Sequence, residues 1–127
     1  MFRDTEAFSG FAVDDLTKAR EFYGQTLDLR IGDVEPMPGL LTLHLGSGQR
    51  VLVYEKPDFT PATYTVLNFA VPDVGAAVSE LTSRGVALER YPGLPQDDDG
   101  VMRGNGPDIA WFTDPAGNIL SVVQQAP

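Results

Sequence analysis

The sequence predicts an α+β fold made of two tandem copies of a strand–helix–strand–strand–strand unit. Three observations carry that prediction: a repeated hexapeptide, a helix signal after each copy, and a hairpin closing each unit. Phe11–Leu16 reads F-A-V-D-D-L and Phe69–Val74 reads F-A-V-P-D-V, identical at four of six positions with an offset of 69 − 11 = 58. A repeat of this kind outranks local propensity, because missing it mis-assigns the whole fold.

In the first copy Ser9, Phe11 and Val13 alternate with Phe8, Gly10 and Ala12, the period of a strand. Asp14 or Asp15 then suits a helix N-cap, whose carboxylate accepts from free N–H groups of the first turn. Leu16, Ala19, Phe22 and Tyr23 follow at helical spacing, and Gly24 suits the stop. In the second copy Leu67, Phe69 and Val71 form the strand and Asp73 the cap. Val74, Ala77, Val78 and Leu81 make the apolar stripe, which Gly85 ends.

Each unit closes on a hairpin, with glycine and proline supplying the turn torsions. The strand Leu40–Leu45 passes through Gly-Ser-Gly into Arg50–Glu55, and Ile109–Thr113 passes through D-P-A-G-N into Ile119–Gln124. Aligning Gly48 with Gly117 gives an offset of 69, so the second unit carries 69 − 58 = 11 extra residues. They fall within Tyr91–Asp108, which holds three prolines and four glycines. Irregular loops beyond about 12–15 residues are uncommon unless they serve a function or are disordered. A rim or lid over a cleft is the expectation, with a loose surface loop as the alternative.

The 127 residues fit a single domain, with modules at about 6–57 and 63–125. A net charge of −9 argues against nucleic acid, whose binding requires neutralisation of phosphates. Long-range attraction would favour a cationic ligand, although solubility alone also explains the acidity. The absence of cysteine excludes disulfides and thiolate chemistry. No run approaches the roughly 18 apolar residues of a membrane helix, and M-F-R-D-T-E lacks the apolar stretch of a secretory signal. A cytoplasmic protein that avoids membranes is expected.

Three segments, V-D-D-L-T-K-A-R-E-F-Y-G-Q-T-L-D-L (Val13–Leu29), the degenerate copy Phe69–Gly85 and F-T-D-P-A-G-N-I-L (Phe112–Leu120), resemble the vicinal oxygen chelate superfamily. This group contains glyoxalases, bleomycin-resistance proteins and extradiol dioxygenases. The resemblance implies two βαβββ modules forming a curved, partly closed mixed sheet, with helices on the outer face and a ligand cleft on the concave one. Fold does not choose among the lyases, dioxygenases and ligand-sequestering proteins of such a group.

Metal-dependent members hold a divalent ion through four side chains, usually His, Glu or Gln. The resemblance puts those positions at Phe8, Leu52, Val66 and Ser121. Three are hydrocarbon, and a lone serine hydroxyl is a poor partner for ions that want imidazoles or carboxylates. The single histidine, His44, and Glu55 do not form a replacement pair, because alternation directs them to opposite sides of the sheet. No metal and no other cofactor is expected.

The same alternation assigns a cleft lining. Its candidate ligand-binding residues are His44, Tyr54, Tyr64, Asn68, Trp111 and Ser121, together with Arg103 from the loop. Phe8, Thr42, Leu52, Val66, Thr113 and Val123 fill the wall between them. Aromatic surface with a few spaced polar groups is the usual composition of a small-molecule pocket. Trp111 and Tyr54 suit stacking on a planar or cationic ligand, but suit filling a unit or dimer contact equally. Arg103 would meet an anionic group, and Asp97, Asp98 and Asp99 a cationic one or simply solvent. No catalytic residue is assignable. The function expected is metal-independent binding of a small organic molecule by a homodimer of the bleomycin-resistance type, the alternative being a metal-dependent lyase or dioxygenase with displaced ligands.

Overall fold

A computed structural model describes residues 1–33 and 38–126. The chain divides into two compact units, Met1–Pro61 and Ala62–Pro127. In the first, β1 (Ser9–Val13) leads through α1 (Leu16–Glu21) to β2 (Arg30–Asp33), β3 (Leu40–His44) and β4 (Arg50–Glu55). The strand order is β1-β4-β3-β2, with β1 parallel to β4 and the other pairs antiparallel. In the second, β5 (Thr65–Val71) leads through α2 (Val74–Ser83) to β6 (Ile109–Thr113) and β7 (Ile119–Gln124), ordered β5-β7-β6. The predicted α+β class and repeat are both present, as two mixed sheets, neither of them closed.

One face of each sheet is sealed by the helix of its own unit. Phe11, Val13, Leu41, Leu43, Val51 and Val53 are buried on that face of the first sheet. Ala19, Phe22 and Tyr23 come down onto them, with the Tyr23 ring 5.9 Å from Phe11 and 5.2 Å edge-on to Phe22. Ala110, Phe112, Leu120 and Val122 play the same part in the second unit beneath Val74, Val78 and Leu81. The alternation read from the sequence thus separates a packed face from a far face, turned away from the helix.

Asp15 and Asp73 are the N-caps, accepting from the N–H groups of Lys18 and Ala76 at 3.1 Å. A second acceptor completes each helix start. Glu55, the last residue of β4, accepts from Leu16 N at 3.0 Å. Gln124, the last of β7, accepts from Val74 N at 3.1 Å. These pairs reproduce both offsets of the repeat, 74 − 16 = 58 and 124 − 55 = 69.

Two elements differ from expectation. Gly24 does not stop the first helix, which widens instead into a π turn over Phe22–Thr26. The wider turn lets the adjacent residues Phe22 and Tyr23 both reach the core. The chain leaves this turn at Asp28, in a left-handed conformation with φ 58°, which aspartate tolerates better than most residues. In the second unit the strand equivalent to β2 shrinks to one bridge, Leu88 to Phe112, with Glu89 N donating to Trp111 O at 2.8 Å. Pro92 and Gly93 follow at once, and proline cannot donate to a ladder.

Removing the second acceptor is expected to loosen the helix start. Glu55→Ala should cost about 1 kcal/mol in urea unfolding, whereas Glu55→Gln, which keeps the oxygen, should recover most of it.

Candidate functional site

The far face of the first sheet is organised in rows set by strand pairing. The middle row runs Gly32, Thr42, Leu52, Gly10 across the four strands. Beside it lie Arg30, His44 and Arg50, and on its other side Leu40, Tyr54 and Ala12. A hollow of ≈ 190 Å³ opens here, lined by Phe8, Thr42, Arg50 and Leu52. A second hollow of ≈ 260 Å³ adjoins it, shares Phe8 and Arg50, and extends over Glu6 and the Ser47–Gln49 turn. Phe8 is 67% exposed, so a large aromatic surface stands ready for contact.

His44 and Tyr54 are both exposed on this face, where alternation placed them. A Cβ on Gly32 would lie 3.2 Å from His44 Nε2, so the missing side chain lets the imidazole lie across β2. Glu55 has the opposite parity and serves the helix start, so His44 and Glu55 do point apart. Arg50 was not among the candidates, although it alternates with Leu52 and Tyr54 and the same pattern could have found it.

The equivalent row in the second unit is Asn68, Ser121 and Trp111. Ser121 is 0% exposed, and its hydroxyl donates to Asn68 Oδ1 at 2.5 Å. Ser121 is therefore sealed beneath the exposed Asn68, which presents the polar group in its place. Trp111 is half-buried, with the ring of Tyr91 edge-on at 5.6 Å. Burial, and then the charge of Glu89, hold the Tyr91 phenol above its ordinary pKa. Glu89 also accepts from the Thr113 hydroxyl at 3.3 Å. Tyr91 and Glu89 reach this cluster through the Leu88 bridge, a long-range pairing with no local signal.

Tyr64 and Val66 need correction. Alternation placed them on one face with Asn68, but a bulge between Thr65 and Leu67 resets the parity. Thr65 pairs with Ile119 and Asn68 with Ser121, so Thr65 takes the place assigned to Val66. Tyr64 precedes the strand and is 69% exposed.

The 91–108 segment is tethered to its own unit. Gln96 spans it, accepting from Tyr91 N and donating to the carbonyls of Glu89 and Gly100. Met102 pairs with both Gln96 and Ile109, and Val101 is buried. Asp97 accepts from the N–H groups of Asp99 and Val101 at 2.9 Å and from Arg103 Nε at 3.2 Å. Arg103 also donates to Asp108 at 2.5 Å. The Arg103 guanidinium is thus committed within the loop, not held out for an anionic ligand, and Asp97 is a turn anchor. The D-P-A-G-N turn is built the same way, the buried Asp114 accepting from Ala116 N, Asn118 N and Asn118 Nδ2.

The metal positions implied by the resemblance do not fit an ion. Phe8 and Leu52 line an apolar hollow, Val66 sits at a bulge beside Thr65, and Ser121 spends its proton on Asn68. Among the described residues no group of three His, Cys, Asp or Glu side chains could hold a metal.

The sequence model of the Glyoxalase/Bleomycin resistance protein/Dioxygenase superfamily matches residues 7–122. The chain belongs to this superfamily. Solved structures agree in fold. A putative glyoxalase family protein from Bacillus anthracis is 20% identical with a TM-score of 0.72, covering 99% of this chain and 100% of that one. TnmS3, an antibiotic binding protein from Streptomyces sp. CB03234, is 23% identical with a TM-score of 0.68 over 97% and 98%. Lactoylglutathione lyase from Agrobacterium tumefaciens is 21% identical with a TM-score of 0.66 over 94% and 93%. No curated protein matches the chain significantly. No helix among the described residues is long and apolar enough to cross a membrane.

Asp97 generates a pH prediction for this glyoxalase-fold chain. The N–H of Val101, with Arg103 and Asp99 N, holds its carboxyl below the usual carboxylate range. A depressed folded pKa gives stability that is complete above the unfolded value and lost as pH falls through the folded one. Asp97→Asn should therefore be less stable than the parent at pH 7. The gap should narrow below about pH 4, read by thermal melts across that range.

Proposed function

We propose that this superfamily member is a metal-independent binding protein that sequesters a small organic molecule on the far face of its first sheet. The observation that carries the reading is the fate of two metal positions. Phe8 and Leu52 hold no donor atom and together line a ≈ 190 Å³ hollow. An apolar wall with Thr42, Arg50, His44 and Tyr54 at its margins has the composition of a ligand pocket. A neighbour in fold, TnmS3, is an antibiotic binding protein, so the scaffold is compatible with sequestration. Tyr54 supplies an aromatic contact in this reading, while Asn68 and Trp111 belong to the far face of the second sheet. A homodimer in the cytoplasm completes the proposal.

Three measurements test it. Titration of Ni, Zn, Mn or Fe into the protein should give no tight one-to-one binding, and a thermal-shift screen of small organic compounds should raise the Tm with some class of them. Stoichiometric metal binding would instead favour a lyase or dioxygenase with displaced ligands. Sedimentation at working concentration should give twice the chain mass, and a monomer would remove the dimer from the proposal.

A further inference from the structure

Charged and imidazole side chains in the first sheet are sorted by face. Its four strands carry Arg30, Asp33, His44, Arg50 and Glu55. Arg30 pairs with His44 and His44 with Arg50, so all three stand in one row on the far face. The carboxylates have the other parity and are occupied on the helix side: Asp33 accepts from Arg20 at 2.5 Å, and Glu55 from Leu16 N. No carboxylate stands in the three far-face rows.

This arrangement runs against the composition. The chain has 18 Asp and Glu against nine Lys and Arg. Arg20, Lys56, Arg84 and Arg103 all form ion pairs. Arg30 and Arg50 form none among the described residues, and Glu6, in the adjoining hollow, is not paired with Arg50. The fold does not demand the row, because the second unit builds the same positions differently. Residues at 119 − 69 = 50 and 113 − 69 = 44 make the equivalents of Arg50 and His44 the neutral Ile119 and Thr113, in a row with Thr65.

We infer that the ligand of this face is a small organic anion, a carboxylate or phosphate on a single-ring hydrocarbon body. Arg50 meets the charge while Phe8 and Leu52 hold the body, and Arg30 extends the positive field from β2, with the His44 imidazole between the two arginines. The inference rests on the proposed binding function and gives it a ligand class. It reverses what net charge suggests, because two local arginines without carboxylate partners govern contact while net charge acts at long range. Size agrees with a single ring: a cavity of about 150 Å³ accepts benzene, and the hollow here is ≈ 190 Å³. Arginine's planar fork matches carboxylate and phosphate oxygens.

The test is amide chemical-shift titration of the full chain with four probes: benzoate, phenyl phosphate, benzamide and benzylamine. Either anion should move the amides of Phe8, Thr42, Arg50 and Leu52, and bind at least about tenfold more tightly than the neutral and cationic probes. Arg50→Gln should abolish that preference, bringing benzoate and phenyl phosphate to within about twofold of benzamide. Added salt should weaken benzoate but not benzamide in the unsubstituted protein, a readout independent of any variant's folding. Benzamide or benzylamine binding as tightly as the anions at these residues would overturn the anion inference and leave the binding function standing. An Arg50→Gln protein with its preference intact would remove Arg50 from the role. Silence of these amides toward all four probes would overturn both readings.

Discussion

The first backbone N–H of each helix points at the side chain ending the closing strand of its unit, Leu16 at Glu55 and Val74 at Gln124. Much of the architecture hangs on that contact. A helix start leaves N–H groups without partners, and the local caps Asp15 and Asp73 satisfy only some of them. The first donor is met by a residue 39 positions away in one unit and 50 in the other. Closing the bond requires the last strand to lie parallel to the first and to end level with the helix start. β1 with β4 and β5 with β7 do so, and Lys56 N to Val13 O and Gln125 N to Val71 O prolong both pairings.

With each frame held this way, the far faces are free to diverge. One unit lays Gly10, Leu52 and Thr42 in its middle row and the other Asn68, Ser121 and Trp111. The first leaves a hollow lined by Phe8, Thr42, Arg50 and Leu52, and in the same row Gly10 packs tightly, since a Cβ there would stand 3.0 Å from Leu52 O. The second closes its surface with a serine–asparagine bond and a tryptophan braced by Tyr91. A hollow edged by Arg50 and an aromatic, Glu89-bearing surface thus arise on one repeated plan. Superfamily membership describes that plan and is silent about these differences.

The 11 additional residues of the second unit show how a long irregular segment is kept in order. Side-chain amides and carboxylates stand in for a ladder: Gln96 makes three backbone bonds, and Asp97 gathers two N–H groups and a guanidinium. Arg90 adds bonds to the carbonyls of Asp97 and Asp98. An acidic run that reads as a solvated stretch contains one residue that the loop is built around.

Features fixed by near neighbours were legible in the sequence. Asp15 and Asp73 cap because a carboxylate reaches N–H groups three residues on, and Gly48 and Gly117 turn because their φ values of 81° and 94° suit glycine. Strand alternation separated packed from far faces and put His44 and Tyr54 on the far face, because side chains alternate strictly wherever the ladder is regular. Where it was not regular, parity failed, as at the bulge that displaced Val66. The sealed position of Ser121, the commitment of Arg103 to Asp97 and Asp108, and the row Arg30–His44–Arg50 belonged to tertiary structure alone. Each depends on the register between strands or on contacts across a loop, and register is a property of pairs of segments that neither segment encodes by itself.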